Sequence, residues 1–133
     1  MKLKFYKFKI SSDSRGSLVA IEELLDIPFR IKRVYYLFST KQDVRRGMHA
    51  HKQLQQVLVC VSGSCKVLLD DGFERDEVVL EDPTKGLFID KGIWREMYNF
   101  TPDAVLLVLA SEHYSEEDYI RNYYDFMEMC AKK

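Results

Sequence analysis

The sequence predicts an all-β fold, a sandwich or barrel of short strands that ends in one short C-terminal helix. About nine apolar runs of strand length alternate with turn residues at short, regular spacing. No helix-length amphipathic segment separates these runs, and the pattern therefore disfavours a parallel sheet with crossover helices. With 133 residues, 47% of them hydrophobic and 31% charged, the chain is predicted to form one globular domain over residues 1–133.

Each predicted strand is a run of aliphatic, β-branched or aromatic residues bounded by turn-forming residues. Ser12–Gly16 predicts the first turn, Ser62-Gly63 ends one of the two strongest strands, and Asp70–Gly72 has the composition of a hairpin turn. In chain order, the predicted strands are Leu3–Ile10, Leu18–Glu22, Ile31–Phe38, Gln55–Val61, Cys65–Leu69, Glu77–Leu80, Leu87–Ile89, Trp94–Phe100 and Val105–Ala110.

The C-terminal segment changes from strand to helical periodicity. Ser115 and Asp118 have the spacing of a capping box and predict the start of a helix. Apolar residues then follow at helical spacing and predict one buried face; these are Tyr119, Ile120, Tyr123, Tyr124 and Met127. We expect this helix to pack on the barrel, and an aromatic ligand site there is the alternative.

The charge balance restricts the classes of partner. A net charge of −1 provides no overall field for binding nucleic acid or an anionic membrane, although a local arginine cluster still suits a small anion. The chain contains neither a signal peptide nor an apolar run near the roughly 18 residues of a membrane span, which predicts a cytoplasmic protein. Of the three cysteines, Cys60 and Cys65 lie in apolar strands and are predicted core residues.

Two of the three histidines, His49 and His51, are separated by a single residue. On a strand, residues two apart point to the same face, so both imidazoles are predicted to project into one space. Arg46 and Lys52 flank the pair, and Gln55-Gln56 follows it. This concentration of polar residues favours a functional role over core packing.

The histidine pair also resembles the first motif of the cupin barrel, in which His-x-His precedes a glutamate and a glycine. Here the motif is His49-Ala50-His51, followed by Gly63, and the second cupin motif is matched by Gly92 and Asn99. The resemblance implies a cupin, or jelly-roll, β-barrel with a short C-terminal α-helix.

Two departures from the cupin pattern affect the chemistry. Gln56 (or Gln55) stands where cupins have the glutamate ligand, and Arg95 stands at the third histidine. A guanidinium is a cation without a lone pair to donate, and His113 lies too close to the predicted helix to replace it. The sequence therefore predicts no metal and no cofactor, and disfavours a metal-dependent oxygenase, the alternative that metal analysis would test.

Without a metal, the two imidazoles are available for proton transfer near neutral pH. Arginine forks suit diphosphate oxygens, and aromatic faces suit a planar base or a sugar ring. Taken singly, each such residue is equally consistent with a solvated charge or a packing aromatic. The candidate substrate-binding residues are Arg15, Arg33, Arg46, Lys52, Trp94, Arg95 and Tyr98, together with Tyr35.

Nearly the whole chain resembles the WxcM-like family of sugar-nucleotide 3,4-ketoisomerases. The segments that carry the resemblance are Asp13–Leu18 followed by Glu22, Val34–Tyr36, Arg46–Lys52 and Val61–Ser64. It implies a substrate linked to thymidine diphosphate, a dTDP-4-keto-6-deoxy sugar used in making bacterial surface sugars. It also implies a homodimer with exchanged strands.

The resemblance further implies a mechanism without a redox cofactor. His49 is expected to remove the C3 proton, which the neighbouring C4 ketone acidifies, and to leave an enediolate. His51 is expected to stabilise the oxyanion or to move protons between the two oxygens. Tyr35 is the third expected catalytic residue; with Arg95 it would orient the sugar or hold the developing negative charge.

Two other functions remain as alternatives. A sugar-nucleotide 3,5-epimerase would remove a similar proton but return it to the same carbon, typically with a His–Asp base pair and a separate tyrosine acid; the close His-x-His pair favours the isomerase. A non-catalytic cupin that only binds a nucleotide sugar is the second. In deuterium oxide, epimerisation labels C3 and C5, whereas ketoisomerisation labels C4.

Overall fold

The computed structural model describes residues 1–132, which contain two five-stranded sheets, a separate two-stranded hairpin and, near the C-terminus, a short helix. All pairings within the sheets are antiparallel. The strands are β1 (Lys4–Lys7), β2 (Ile10–Asp13), β3 (Gly16–Val19), β4 (Arg33–Phe38), β5 (Arg46–His51), β6 (Gln56–Ser62), β7 (Cys65–Asp70), β8 (Arg75–Leu80), β9 (Lys85–Ile89), β10 (Trp94–Tyr98), β11 (Val105–Ala110) and β12 (Tyr119–Ile120), followed by helix α1 (Tyr123–Ala131).

The two large sheets pack face to face around the main core. The first has the strand order β1-β9-β6-β11-β4 and the second β12-β5-β10-β7-β8. Strand alternation directs Leu58 and Leu106 of the first sheet toward Val67 and Met97 of the second. Cys60 and Cys65 are buried in this core, as predicted. The predicted all-β fold with one short C-terminal helix is confirmed.

Each sheet has a second apolar cluster on its outer face. Phe8 and Phe29 cover the outer face of the first sheet. On the second sheet, Phe126 of α1 packs against Trp94 and Ile120. Since helix α1 covers that outer face, the polar residues of β5 and β10 that point the other way lie between the two sheets.

The N-terminal strands differ from the prediction. The predicted strand Leu3–Ile10 is divided into β1 and β2, because Phe8 turns into the outer core at the point where the alternation breaks. Strand β3 pairs with β2 in a hairpin that joins neither large sheet, and both of its strands are largely exposed.

The predicted start of the C-terminal helix, at Ser115, was wrong. Ser115 precedes only one 3₁₀ turn and makes no side-chain cap, whereas Asn122 caps α1 by accepting from the Asp125 backbone N–H at 3.1 Å. The chain between them is extended because Tyr119–Ile120 pairs with β5. The predicted apolar face was therefore also wrong, since Tyr124 is 77% exposed. No helix within residues 1–132 has the length and apolar character to cross a membrane.

Candidate active site

A cavity of about 360 Å³ is lined by residues of β4, β5, β10 and β12. Four predicted site residues line it, namely Arg33, Tyr35, Arg46 and His49. The remaining lining residues are Leu37, Gly47, Met97, Tyr119 and Arg121. Because three of these nine lining residues are arginines, the cavity attracts an anionic ligand.

A β-bulge in β5 directs the key side chains into this cavity. Gly47 lies opposite Glu96 and His49 opposite Arg95, so Met48 has no partner in the register. Met48 and Gly47 both have left-handed backbone angles, with φ of +54° and +82°. The extra residue reverses the alternation, and Arg46 therefore shares a face with His49 although the two are three residues apart.

The hydrogen bonds of the two imidazoles define their tautomers. His49 Nδ1 lies 2.9 Å from the carbonyl oxygen of Gly47, and His51 Nδ1 lies 3.0 Å from a carboxylate oxygen of Asp118. A carbonyl or carboxylate oxygen only accepts, so Nδ1 carries the proton in both rings. Each Nε2 is then a free base, and that of His51 is buried without a hydrogen-bond partner.

Burial and a neighbouring cation keep both histidines neutral. Desolvation, with a further contribution from the Arg95 guanidinium, lowers the pKa of His49 to about 4. The same two causes hold the pKa of His51 well below its ordinary value. The ring centroids are 4.8 Å apart, with the planes nearly perpendicular. At neutral pH both rings are therefore uncharged, and each has an Nε2 lone pair that can accept a proton.

Arg95 lies fully buried behind the histidines, with 1% of its surface exposed. Its Nη1 donates to Gln56 Oε1 at 2.5 Å and its Nη2 to the carbonyl of Ile93 at 3.0 Å. Burial lowers the pKa of Arg95 to about 10, so the group is still a cation at neutral pH. No salt bridge to Arg95 forms within the described chain, and its charge is available to stabilise an anion in the cavity.

Tyr35 lines the cavity opposite the histidines and is linked to Arg95 through Gln56. The Gln56 Nε2 lies 3.0 Å from the Tyr35 hydroxyl oxygen. Burial raises the pKa of Tyr35, because desolvation disfavours the phenolate. Tyr35 is thus a protonated phenol at neutral pH.

Two arginines at the rim have distinct surroundings. Arg33 lies between the rings of Tyr35 and Tyr114, 5.2 and 5.5 Å from their centroids, and its Nε and Nη2 are buried without partners. Arg121 is held by both carboxylate oxygens of Glu116, at 2.7 and 3.0 Å. The unpartnered donors of Arg33 have the chemistry of a site for diphosphate oxygens.

The donor set does not fit a divalent metal. Among residues 1–132, no three His, Cys, Asp or Glu side chains are grouped so that they could hold a metal ion. Arg95, rather than a third donor, lies opposite His49 in the register. A guanidinium would repel the ion and has no lone pair to offer.

Strand alternation separates two predicted site residues on β10 from the cavity. Arg95 and Met97 point inward, so Trp94 and Tyr98 point to the outer face. Trp94 packs against helix α1, and its indole N–H donates to Glu96 at 2.9 Å. Tyr98 donates to Glu77 and lies beneath the Arg45 guanidinium.

Two further predicted residues lie apart from the histidines within this chain. Lys52 follows His51 but has an exposed side chain, and its backbone N–H donates to the carbonyl of Asp118. Arg15 is on the exposed β2–β3 hairpin, where it pairs with Asp13 at 2.6 Å. That hairpin borders a separate cavity of about 430 Å³.

Three residues of the site were not predicted: Asp118, Tyr119 and Arg121. Asp118 accepts from His51 and from the backbone N–H groups of Gln53 and Leu54. Asp118 was assigned instead to a helix start, because its spacing from Ser115 is that of a capping box. Tyr119 and Arg121 are two residues apart, and on an extended segment this spacing would have predicted that both face the cavity.

The comparisons with known proteins agree with this geometry. Residues 1–131 match the family described as FdtA: WxcM-like, C-terminal. The chain is 54% identical, over 99% of its length and 95% of the relative's, to the TDP-4-oxo-6-deoxy-alpha-D-glucose-3,4-oxoisomerase of Aneurinibacillus thermoaerophilus. It is 50% identical to a 3,4-ketoisomerase structure from Helicobacter canadensis, with a TM-score of 0.95 and 98% of both chains covered.

Two other solved structures bear on the substrate and on the alternatives. One is a histidine-to-asparagine variant of the 3,4-ketoisomerase QdtA from Thermoanaerobacterium thermosaccharolyticum, in complex with TDP-4-keto-6-deoxyglucose. It is 47% identical to this chain, with a TM-score of 0.96 over 98% of this chain and 95% of that one. The 3,5-epimerase RmlC from Legionella pneumophila is 22% identical, with a TM-score of 0.74 over 89% of this chain and 71% of that one. The likeness to the epimerase shows a shared fold alone.

Proposed function

The chain belongs to the FdtA family of WxcM-like proteins, and from that premise we propose that it is a 3,4-ketoisomerase of TDP-4-keto-6-deoxyglucose. It is an isomerase, as its 54% identical relative is. The observation that carries the proposal is the pair of neutral, buried histidines beside an arginine-lined cavity. Residues 1–133 are proposed to form one cupin domain, which works in the cytoplasm on sugars for the bacterial surface.

His49 is the proposed base for the first step. Its Nε2 takes the C3 proton, the C3–H electron pair forms the C3=C4 double bond, and the carbonyl π pair moves onto the C4 oxygen. His49 is assigned this role because it lines the cavity, whereas His51 is fully buried behind it. The developing charge is stabilised by the buried Arg95 cation and by the Tyr35 hydroxyl.

The second step returns a proton to the neighbouring carbon. The C3 hydroxyl loses its proton, its electrons form the C3 carbonyl, and the double-bond pair takes a proton at C4 from the His49 imidazolium, which has exchanged its N–H with solvent and so returns to the neutral base. His51, oriented by Asp118, is proposed to move the proton between the two oxygens. One hydrogen leaves C3 and one arrives at C4, so no external oxidant or reductant is needed.

Two arginines of the cavity, Arg33 and Arg46, are proposed to hold the diphosphate. Arg33 and Arg46 line the cavity, and Arg33 offers buried donors without partners. Binding a diphosphate satisfies these donors and directs the attached sugar toward His49. Arg121 lies over the Tyr119 ring, 4.2 Å from its centroid, and this stacked pair is proposed to stack with the thymine base.

A homodimer with strand exchange is the proposed assembly. Strand β4 forms one edge of the first sheet and exposes Val34, Tyr36 and Phe38 on one face. The β2–β3 hairpin pairs with neither large sheet of its own chain. Exchange would carry the hairpin, and Arg15 with it, onto the partner protomer. Sedimentation analysis should give the dimer mass, and Tyr36→Lys should shift it toward the monomer.

The product formed from the thymidine-linked 4-keto sugar in deuterium oxide tests the proposed reaction. A 3-keto product with deuterium at C4, identified by NMR, is the expected result. Labelling at C3 and C5 without movement of the ketone would instead identify an epimerase, and binding without turnover would identify a non-catalytic cupin. This test is needed because the His51–Asp118 pair is the arrangement that epimerases use, so the pair itself does not separate the two reactions.

A further inference from the structure

Two consecutive hydrogen bonds connect the buried cation to the cavity. Arg95 Nη1 lies 2.5 Å from Gln56 Oε1, and Gln56 Nε2 lies 3.0 Å from the Tyr35 hydroxyl oxygen. Gln56 is itself buried, with 2% of its surface exposed. It is one of the two residues that the cupin resemblance places at the glutamate ligand, the other being Gln55, and here it bridges two side chains.

The donor and acceptor capacity of each group gives this chain of bonds one direction. A guanidinium only donates, so Arg95 requires the carbonyl oxygen of the Gln56 amide. The amide nitrogen is then turned toward Tyr35, and because it only donates, the Tyr35 oxygen must accept. The phenolic proton of Tyr35 points elsewhere. No acceptor within residues 1–132 takes that proton, and the Tyr35 side chain lines the cavity.

We propose that Gln56 is a positioning residue: anchored by Arg95, its amide turns the Tyr35 hydroxyl so that the phenolic proton faces the substrate oxygen. The inference rests on the proposed function, in which negative charge develops on the C4 oxygen as the C3 proton leaves. A donor already aimed at that oxygen stabilises the charge without reorganising during the reaction. Tyr35 is the catalytic residue in this arrangement, and Gln56 acts through it.

Gln56→Glu reverses the direction of the hydrogen bond to Tyr35 while keeping the shape of the side chain. One carboxylate oxygen still accepts from Arg95, but the other now accepts the Tyr35 proton and withdraws it from the cavity. We expect kcat to fall about 100-fold, as when one oxyanion donor is removed, with KM changed less than about threefold. Tyr35→Phe should give a similar loss, and the double variant should lose no more than either single one.

Gln42→Glu makes the same chemical change at an exposed position in the loop before β5 and serves as the matched control. It should keep the wild-type kcat and the wild-type melting temperature, and Gln56→Glu should still unfold in one cooperative transition. A Gln56→Glu enzyme with the wild-type kcat, or losses that multiply with those of Tyr35→Phe, would overturn the proposal. A change in KM alone would also overturn it, because it would indicate a binding role.

A neutron structure of the deuterated wild-type protein tests the same point without any turnover. The expected result is deuterium on the Gln56 nitrogen directed at the Tyr35 oxygen, with the phenolic deuterium directed into the cavity. A phenolic deuterium directed at Gln56 overturns the inference, even in an active ketoisomerase. The expected arrangement supports it even if the wild-type protein does not turn over the thymidine-linked sugar, so the two failures are distinguishable.

Discussion

The two faces of strand β10 have opposite chemistry although their residues alternate along one short segment. The inner face carries Arg95, whose charge is buried beside two neutral bases. The outer face carries Trp94, which packs against helix α1. A buried cation without an anionic partner destabilises a fold, whereas a buried indole stabilises it. The comparison indicates that the outer face supplies stability and the inner face retains costly groups for their chemistry.

His49→Asn should show the largest difference between a variant's effect on kcat and its effect on stability. The variant removes the proposed base but keeps a small polar side chain, so kcat should fall by about 10²–10⁴-fold, the usual contribution of a general base. The free energy of unfolding should change little. Single-turnover kinetics and urea unfolding measure the two quantities, and a variant with normal turnover would remove His49 from the mechanism.

Trp94→Ala should have the opposite profile. The truncation empties the center of the cluster formed with Ile120 and Phe126, and should lower the free energy of unfolding by about 3–5 kcal/mol. Below the melting temperature, kcat per folded molecule should stay within about threefold of wild type. Trp94→Phe is the control and should recover most of the stability. A loss of kcat at full folding would instead indicate that the outer face shapes the cavity.

The two faces should also differ in their response to pH. The native pKa of His49 is about 4, well below its unfolded value near 6.5, so the unfolded state binds a proton first as pH falls. Stability should be constant above that unfolded value and should decrease between it and the native pKa, by on the order of 3 kcal/mol from this group. The lowered pKa of His51 likewise decreases stability as the pH falls. Urea unfolding across this range should show a smaller decrease in His49→Asn and an unchanged decrease in Trp94→Phe.

The sequence predicted the parts of this comparison that depend on local pattern. The strands Ile31–Phe38 and Val105–Ala110 have strong apolar alternation, and the His49–His51 spacing placed both imidazoles on one face. Arg95 was predicted at the site by its motif position. The strands and the histidine pair depend on side-chain period alone, which the fold preserves, whereas Arg95 depends on the cupin resemblance.

Trp94 and Tyr98 were grouped with Arg95 although strand period alone places them on the opposite face. The remaining features depend on register, which residue pattern does not specify. The bulge at Met48 brings Arg46 into the cavity, and it is defined by the register with β10 at a residue whose backbone is left-handed. Asp118 was assigned to a helix start because a local capping signal was visible and its contact with His51, 67 positions earlier in the chain, was not.

Asp118→Asn should give the smallest of these effects and test how the two faces are connected. Asp118 holds the Nδ1 proton of His51, while the next strand, β12, places Ile120 in the outer cluster. An asparagine that turns its amide toward His51 would donate to Nδ1 and move the imidazole proton to Nε2, so that the second base is lost. We expect kcat to fall about 10–100-fold with KM little changed, since such partners typically contribute this much.

Asp125→Asn, an exposed carboxylate in the first turn of α1, is the matched control and should leave kcat unchanged. Proton NMR of the imidazole N–H groups should show the His51 resonance change only in the Asp118 variant. If Asp118→Asn instead lowers stability as Trp94→Ala does and spares kcat, the carboxylate serves the loop N–H groups of Gln53 and Leu54 rather than the imidazole. The inner face would then depend on the C-terminal segment for its packing alone, and His51 would need no carboxylate to remain a base.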